Sequence, residues 1–136
     1  LETLVGQLRE QRKFRELPRL LHRLGLVADR TGDGDAALGH FKAAHELDAT
    51  YLPNLFDLGR AYFARADWNN ALKVLQTMLL HQSELKTPQE RLEVFYHLGM
   101  VRKALGDPKR AKDMFQRALA IDSSHLPSLQ AMLDLG

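Results

Sequence analysis

Residues 29–40, DRTGDGDAALGH, have the length and several of the residues of a calcium-binding loop. Oxygen-bearing side chains stand at alternate positions, at Asp29, Thr31 and Asp33. An EF-hand loop also has this alternation, but its twelfth residue is a Glu that binds Ca²⁺ through both carboxylate oxygens. The twelfth residue here is His40, so the set of ligands for Ca²⁺ is incomplete.

The other residues that could bind a metal or support catalysis are scattered through the sequence. No two histidines stand three or four residues apart on one predicted helix, and no carboxylate lies in an apolar run that would raise its pKa. A Gly-rich phosphate loop, G-x-S-x-G and H-E-x-x-H are all absent. We therefore expect a protein that is not an enzyme and has no cofactor or metal. The histidines are His22, His40, His45, His81, His97 and His125.

The composition is that of one ordinary domain. The chain has 136 residues, no cysteine, and nearly balanced charge, with 19 basic and 17 acidic side chains. Its apolar runs are too short for insertion into a membrane. No signal peptide is visible and the first residue is Leu1, so we expect a piece of a longer protein whose compartment is unknown, with a slight preference for the cytoplasm.

A spaced pattern of small and apolar residues occurs three times along the chain. Each copy has a Leu-Gly pair, an apolar residue three places before the Leu, and an Ala twelve places after the Gly. A Phe or Leu stands four places beyond that Ala. The copies follow one another at 34 and 40 residues, which indicates internal repeats. The pairs are Leu24–Gly25, Leu58–Gly59 and Leu98–Gly99.

The acidic segment at residues 29–40 belongs to this repeat. Asp33 stands eight places after the first repeat glycine, and Asp67 and Asp107 have the same offset in the other copies. The shared element is a turn in which an Asp caps the following helix by accepting its free N–H groups. Pro108 suits the first position of such a helix. The sequence therefore predicts capped turns and no calcium site.

The apolar spacing of three and four predicts helices throughout, with no strand alternation. Thr87, Pro88 and Glu90 form a capping box at the start of the fifth helix. The fold class expected is all-α. The predicted helices lie near 18–31, 35–48, 53–65, 69–82, 88–105, 109–121 and 126–135.

These residues resemble the tetratricopeptide repeat (TPR) family, whose pattern is W-x2-L-G-x2-Y, then A-x3-F, then P. The second copy reads Leu55-x2-Leu58-Gly59-x2-Tyr62 followed by Ala71-x3-Leu75. The resemblance covers residues 18 to about 124. It implies a right-handed α-solenoid of three TPR-like helix-turn-helix repeats, with additional helices at both ends. The whole chain, 1–136, would be one domain, with repeats near 18–51, 52–91 and 92–125, an N-terminal helix at 1–17, and a capping or partial-repeat helix at 126–136.

Several positions depart from the family pattern. The closing Pro is replaced by Ala49, Ser83 and Ser123, and six extra residues enlarge the second junction. Arg102 replaces the aromatic of the third copy, so we expect that packing site to be partly exposed.

The resemblance also implies a concave groove lined by the first helix of each repeat, and hence a scaffold or adaptor that binds a protein or peptide segment there. Arginines at one end favour a ligand with some acidic side chains. His22, Asp57 and Glu93 would also face this groove. The main candidate residues are Arg19, Arg23, Arg30, Phe56, Arg60, Phe63, Tyr96, His97, Met100 and Lys103.

Some domains of this family bind the C-terminal carboxylate of chaperones through a clamp of Lys, Asn and Arg. The matching positions here include Asp57 and Glu93, which would repel a carboxylate, so we expect no such clamp. An alternative function is structural, with self-association through the terminal helices or stacking within a longer array. Binding of nucleic acid is unlikely on these residues, because acidic side chains interrupt both basic runs. Those runs lie near 9–23 and 109–117.

Overall fold

The computed structural model describes the backbone of residues 2–135 and the side chains of residue 10 and residues 15–135. Within these residues all regular structure is helical, which confirms the predicted fold class. Seven α-helices and one 3₁₀ turn at Gln82–Glu84 follow one another along the chain. The α-helices are α1 (Glu2–Arg30), α2 (Gly34–Leu47), α3 (Leu52–Ala64), α4 (Trp68–Leu80), α5 (Pro88–Ala104), α6 (Pro108–Ile121) and α7 (Leu126–Asp134).

The chain forms two compact units, Leu1–Ala61 and Tyr62–Gly136, which divide within α3. In the first unit α1 packs along α2, and the buried amide of Asn54 on α3 donates a hydrogen bond of 2.9 Å to the backbone carbonyl of Phe41 on α2. In the second unit α5 packs against α4 and α6, and α7 packs against α6.

The first helix differs from the prediction of a helix that starts near residue 18. α1 runs without interruption from Glu2 to Arg30 and includes Pro18 in its interior. A proline there removes one backbone hydrogen bond and usually ends a helix. Pro18 is buried, so its ring contributes to packing, and that contribution depends on neighbours that a local pattern does not show.

The capped turns are present, with one exception. Asp33 and Asp107 each accept a hydrogen bond from the backbone N–H three residues later, at 3.1 and 3.2 Å. Asp67 makes no such cap, because its carboxylate accepts from the side-chain amide of Asn70 at 2.8 Å. Thr87 caps α5 as predicted, at 3.2 Å from the N–H of residue 90. These local contacts explain why most helix bounds were predicted to within two residues.

An Asp-x-Ser/Thr turn stands where the family pattern has its closing proline. Asp122 accepts hydrogen bonds from the hydroxyl and the N–H of Ser124, at 2.7 and 3.0 Å. These two hydrogen bonds lower the pKa of the Asp122 carboxyl, and the bond from the hydroxyl contributes more than the bond from the N–H. Asp48 and Thr50 form the same turn after α2. The side chain thus sets a turn that proline would otherwise impose through its fixed φ angle.

Close contact between helices depends on two of the repeated glycines. A Cβ atom added to Gly25 would lie 2.4 Å from Cε1 of Phe41, and one added to Gly99 would lie 2.4 Å from Cε1 of Phe115. Both rings are buried. The pairing of a small residue on the first helix with a phenylalanine on the second, as the repeat predicts, is therefore confirmed for α1–α2 and α5–α6.

One predicted core leucine is not in the core. Leu98 is 2% exposed, whereas its counterpart Leu24 is 42% exposed. Leu24 lies on the face of α1 away from α2, together with Leu17, Leu20 and Val27, which are also exposed. No helix among the described residues covers this face of α1. Leu24 is therefore exposed, although Leu98 at the same position of the third copy is buried.

We predict that Gly99→Ala lowers the free energy of unfolding by about 1–3 kcal/mol through overpacking against the Phe115 ring, despite the better helix propensity of Ala. Urea denaturation of Gly99→Ala, Phe115→Leu and the double variant measures this. Because the smaller Leu leaves room for the new methyl group, the double variant should lose less than the two single losses added together. Strict additivity would show that the two residues do not press on each other.

The residues directly before Asp33, Asp67 and Asp107 in the three turns provide a second test. Gly32, Ala66 and Gly106 have φ angles of 82°, 57° and 80°, a region that strains any residue with a Cβ. We expect Ala66→Gly to stabilise the protein by about 0.5–1 kcal/mol, and Gly106→Ala to destabilise it similarly. A Cβ at Gly106 meets no atom within 4 Å, so backbone strain is the expected cause. Equal melting temperatures for the two variants would contradict this reading.

Candidate functional site

In the first unit, a buried histidine joins the two helices that carry candidate groove residues. His22 on α1 is 7% exposed and lies between the rings of Phe41 and Tyr51, each 5.8 Å away between centroids. Its Nε2–H donates to Oδ2 of Asp57 on α3 at 2.6 Å. The placement of His22 on an open groove surface is therefore wrong. Its ring fills the space between packed helices, and the local sequence does not determine how closely those helices approach one another.

Asp57 also interacts with Arg60, one turn later on α3. Its carboxylate therefore serves two donors, His22 and Arg60, and is itself mostly buried. The Arg60 side chain extends from this contact into solvent. The Arg60 guanidinium is therefore accessible, but part of its charge is neutralised by Asp57.

The other candidate residues of the first unit are exposed or half-buried. Arg19 stacks over the Tyr51 ring, with its guanidinium carbon 5.8 Å from the ring centroid. These two residues border an open cavity of about 290 Å³ that also touches Asp48. Arg23 and Arg30 are exposed, and Phe56 is half-buried. The first unit therefore presents arginines beside accessible aromatic rings.

The second unit contains a continuous series of aromatic contacts. The rings of Trp68, Phe63, His97, Tyr96 and His125 follow one another, each edge-on to the next at 5.1–5.4 Å between centroids. All five side chains are half-buried. Edge-to-face contacts of this kind hold aromatic rings in fixed orientations. The structure thus brings together three predicted site residues and adds two rings that the prediction did not include.

Hydrogen bonds fix the tautomer of two of these rings when they are neutral. Nδ1–H of His97 donates to the backbone carbonyl of Glu93 at 2.7 Å, so its Nε2 is the acceptor. Nδ1 of His125 accepts from the N–H of Ser128 at 3.3 Å and lies 2.7 Å from its hydroxyl, so its Nε2 carries the proton. The aromatic series therefore presents both a hydrogen-bond donor and an acceptor.

The remaining candidates of the second unit, Met100 and Lys103, make other contacts. Met100 packs against the core cluster of Ala111, Phe115 and Ala131. The Lys103 ammonium lies 3.9 Å from the Asp134 carboxylate on α7. Both side chains are half-buried. Arg102, at the position where the family has an aromatic, is also half-buried, as expected from its charge.

Sequence reasoning missed three residues that contact the predicted site: Tyr51, Trp68 and His125. Each lies just before or at the start of a helix, outside the repeated core pattern. A signal was available for Trp68, which directly follows Asp67 of a predicted turn, whereas Tyr51 and His125 follow the Asp-x-Ser/Thr turns that the sequence analysis did not predict. Their contacts with Arg19, Phe63 and Tyr96 depend on how the helices pack, which the spacing does not specify.

The comparisons with known proteins establish the family. Residues 51–124, more than half of the chain, match the family model described as tetratricopeptide repeat. The chain therefore belongs to the tetratricopeptide repeat family, and the resemblance found in the sequence is confirmed. No curated protein sequence matches the chain.

Solved structures of low identity share the fold. The TPR domain of Arabidopsis OM64 gives a TM-score of 0.72 at 16% identity, covering 88% of this chain and 94% of that chain. The N-terminal domain of stress-induced protein-1 from C. elegans gives 0.73 at 15% identity, with 90% and 96% covered. The first TPR of Spaghetti (RPAP3), bound to the HSP90 peptide SRMEEVD, gives 0.72 at 16% identity, with 88% and 90% covered. The family and the fold are those of a protein-interaction module.

The described residues contain neither a metal-binding cluster nor a membrane-spanning helix. No group of three or more His, Asp or Glu side chains in residues 10 and 15–135 is arranged to hold a metal ion. Among the described helices, none is long and apolar enough to cross a membrane.

We predict that Asp57→Ala destabilises the protein by about 1–3 kcal/mol, because the buried N–H of His22 loses its acceptor. Urea denaturation of Asp57→Ala in the wild-type and the His22→Phe backgrounds measures the coupling. The substitution should cost less in the His22→Phe background, where no donor remains to be left unpaired. Asp134→Ala, at an exposed ion pair, is the control and should cost less than about 1 kcal/mol. An equal cost of Asp57→Ala in both backgrounds would contradict the assignment.

Proposed function

We propose that the chain is a non-catalytic scaffold or adaptor module that binds a peptide segment of a partner protein along the first helices of its repeats. The observation that carries this proposal is the series of half-buried, mutually oriented rings in the second unit, from Trp68 to His125. Rings that are fixed in advance lose little conformational entropy when they bind a ligand. They also offer a large apolar area with polar edges.

The first unit supports the charge preference of the ligand. Arg19, Arg23, Arg30 and Arg60 are exposed, and each guanidinium can bind a carboxylate through two parallel hydrogen bonds. Asp57 offsets part of the charge of Arg60. We therefore propose a segment with acidic side chains for this unit, and with aromatic or aliphatic side chains for the second unit.

We further propose that the ligand is not a chaperone C-terminus held by a carboxylate clamp, although one protein of the same fold is bound to the HSP90 peptide SRMEEVD. In this chain the relevant positions include Asp57, whose carboxylate accepts from His22 and Arg60, and Glu93, whose carboxylate lies 3.6 Å from Nδ1 of His97. Neither position supplies the cation that such a clamp needs.

Fluorescence anisotropy with labelled SRMEEVD tests this exclusion. We expect no saturation at about 100 μM, and the same weak signal from the free acid and the C-terminal amide. Micromolar affinity that disappears on amidation would show that a carboxylate clamp exists.

A binding test of the proposed function treats the two units separately. Random 12-residue peptides selected by phage display on the wild-type protein would be synthesised and measured by anisotropy. We expect Phe56→Ala with Arg60→Ala, and separately Tyr96→Ala, to weaken binding by about tenfold or more. Circular dichroism melting checks that each variant remains folded, since Tyr96 also packs against Phe115.

The matched control is Lys73→Ala with Leu80→Ala, which removes one exposed cation and one exposed apolar side chain from α4. This control should leave the affinity unchanged. Equal affinities for the wild type and both groove variants would show that the peptide binds elsewhere and would refute the proposed function.

A further inference from the structure

The last helix has two apolar faces, of which one is uncovered. On its inner face, Ala131 is 4% exposed and belongs to the core cluster of Ala111 and Phe115, against which Met132 also packs. On its outer face, Leu126 and Leu133 are 74% and 75% exposed, and Leu129 is also exposed. A helix that is apolar on both sides is normally packed on both sides. The outer face of α7 therefore has the composition of a contact surface.

This face continues onto α6 as an open groove of about 780 Å³, which we term the α6–α7 groove. Its apolar wall is formed by Leu119 of α6 and by Leu129, Met132 and Leu133 of α7. Lys109 and Lys112 of α6 also line the groove. The groove lies within the second unit and does not include the residues proposed above to bind a peptide.

The charge at the α6–α7 groove has one sign. Lys109 and Lys112 stand three residues apart on α6, so they lie on the same side of the helix, and both are exposed. Among the described residues neither lysine forms an ion pair, and no Asp or Glu lines the groove. A ligand that fits the groove should therefore supply both apolar and acidic side chains.

We propose that the α6–α7 groove binds an amphipathic helix of a separate partner protein, with leucine-like residues along one face and Asp or Glu along the flank next to Lys109 and Lys112. The apolar face of such a helix covers Leu129 and Leu133, as in other helix-in-groove complexes. Its carboxylates pair with the two lysines at the rim, which selects the orientation and favours acidic partners.

A second copy of this chain fits the charge less well. Two copies that face each other through this groove bring both pairs of lysines into one interface. The exposed apolar stripe of α1, formed by Leu17, Leu20, Leu24 and Val27, has two arginines beside it, Arg23 and Arg30, and one acidic neighbour, Glu16. Docking that stripe in the groove would place like charges side by side, which is unfavourable.

The test uses two labelled synthetic peptides of about 18 residues, five turns of helix. Both carry Leu at the a and d positions of a heptad, with either Glu or Lys at the flanking positions. We expect the Glu peptide to bind the wild-type chain saturably in anisotropy measurements, at least about tenfold more tightly than the Lys peptide, and more weakly as salt is added.

Two variants locate the site, and two others serve as controls. Leu129→Asp with Leu133→Asp should abolish binding of the Glu peptide, and Lys109→Glu with Lys112→Glu should reverse the preference between the two peptides. Leu80→Asp changes a leucine on α4 that is 83% exposed, and it should have no effect. Phe56→Ala with Arg60→Ala should also have no effect, so that this proposal and the proposed function can fail independently. Because all of the leucines changed are exposed, the variants should keep their melting temperature.

The proposal is overturned if the wild type binds neither peptide, binds both equally, or loses binding equally with Leu80→Asp. Sedimentation velocity gives a further test. A wild-type dimer that dissociates in the Leu133→Asp variant would overturn the proposal, because a second copy of the chain would then cover the groove. Flotation with vesicles of phosphatidylserine and phosphatidylcholine that depends on Leu133 would assign the face to a lipid surface instead.

Discussion

The architecture depends on the contact between a glycine on one helix and a phenylalanine ring on the next. At Gly25 and at Gly99 a single additional carbon would lie 2.4 Å from the partner ring, far inside a normal contact distance. The helices of each pair can approach this closely because the first has no side chain at that point. The buried rings of Phe41 and Phe115 then fill the space between the helices. This contact fixes which face of the first helix is turned toward the second helix. The residues on the other faces of the first helix, which include candidate binding residues, therefore point away from the second helix.

Buried polar contacts give the packed helices a specific arrangement. The bond from Asn54 to the carbonyl of Phe41 joins α3 to α2, and the bond from His22 to Asp57 joins α1 to α3. An unpaired buried polar group is costly, so such contacts disfavour alternative packings of the same helices. The same contacts reduce the charge that the candidate site can offer to a ligand. Asp57 already accepts from His22 and Arg60, and it offsets part of the charge of Arg60.

Apolar faces remain uncovered on α1 and on α7. In repeat proteins each unit buries its neighbour's apolar face, so a face without a neighbour is available for another contact. The two faces differ in charge. The α1 stripe has Glu16 as well as Arg23 close by, whereas the α6–α7 groove has lysines and no described acidic residue. The α1 stripe and the α6–α7 groove are both apolar and exposed, and their charged neighbours distinguish them.

The sequence alone determined the helices, most of their bounds and the family. These features depend on contacts between residues three or four apart, such as the caps at Asp33, Thr87 and Asp107, and on a repeated small-large spacing. It also assigned Phe63, Tyr96 and His97 to one candidate groove, and their rings contact one another in the structure. Only the tertiary structure decided that His22 is buried, that α1 continues through Pro18, and that Leu24 is exposed whereas Leu98 is not. Each of these outcomes depends on which distant segment packs against the residue, or on whether any does, and a pattern of local spacing contains no information about that neighbour.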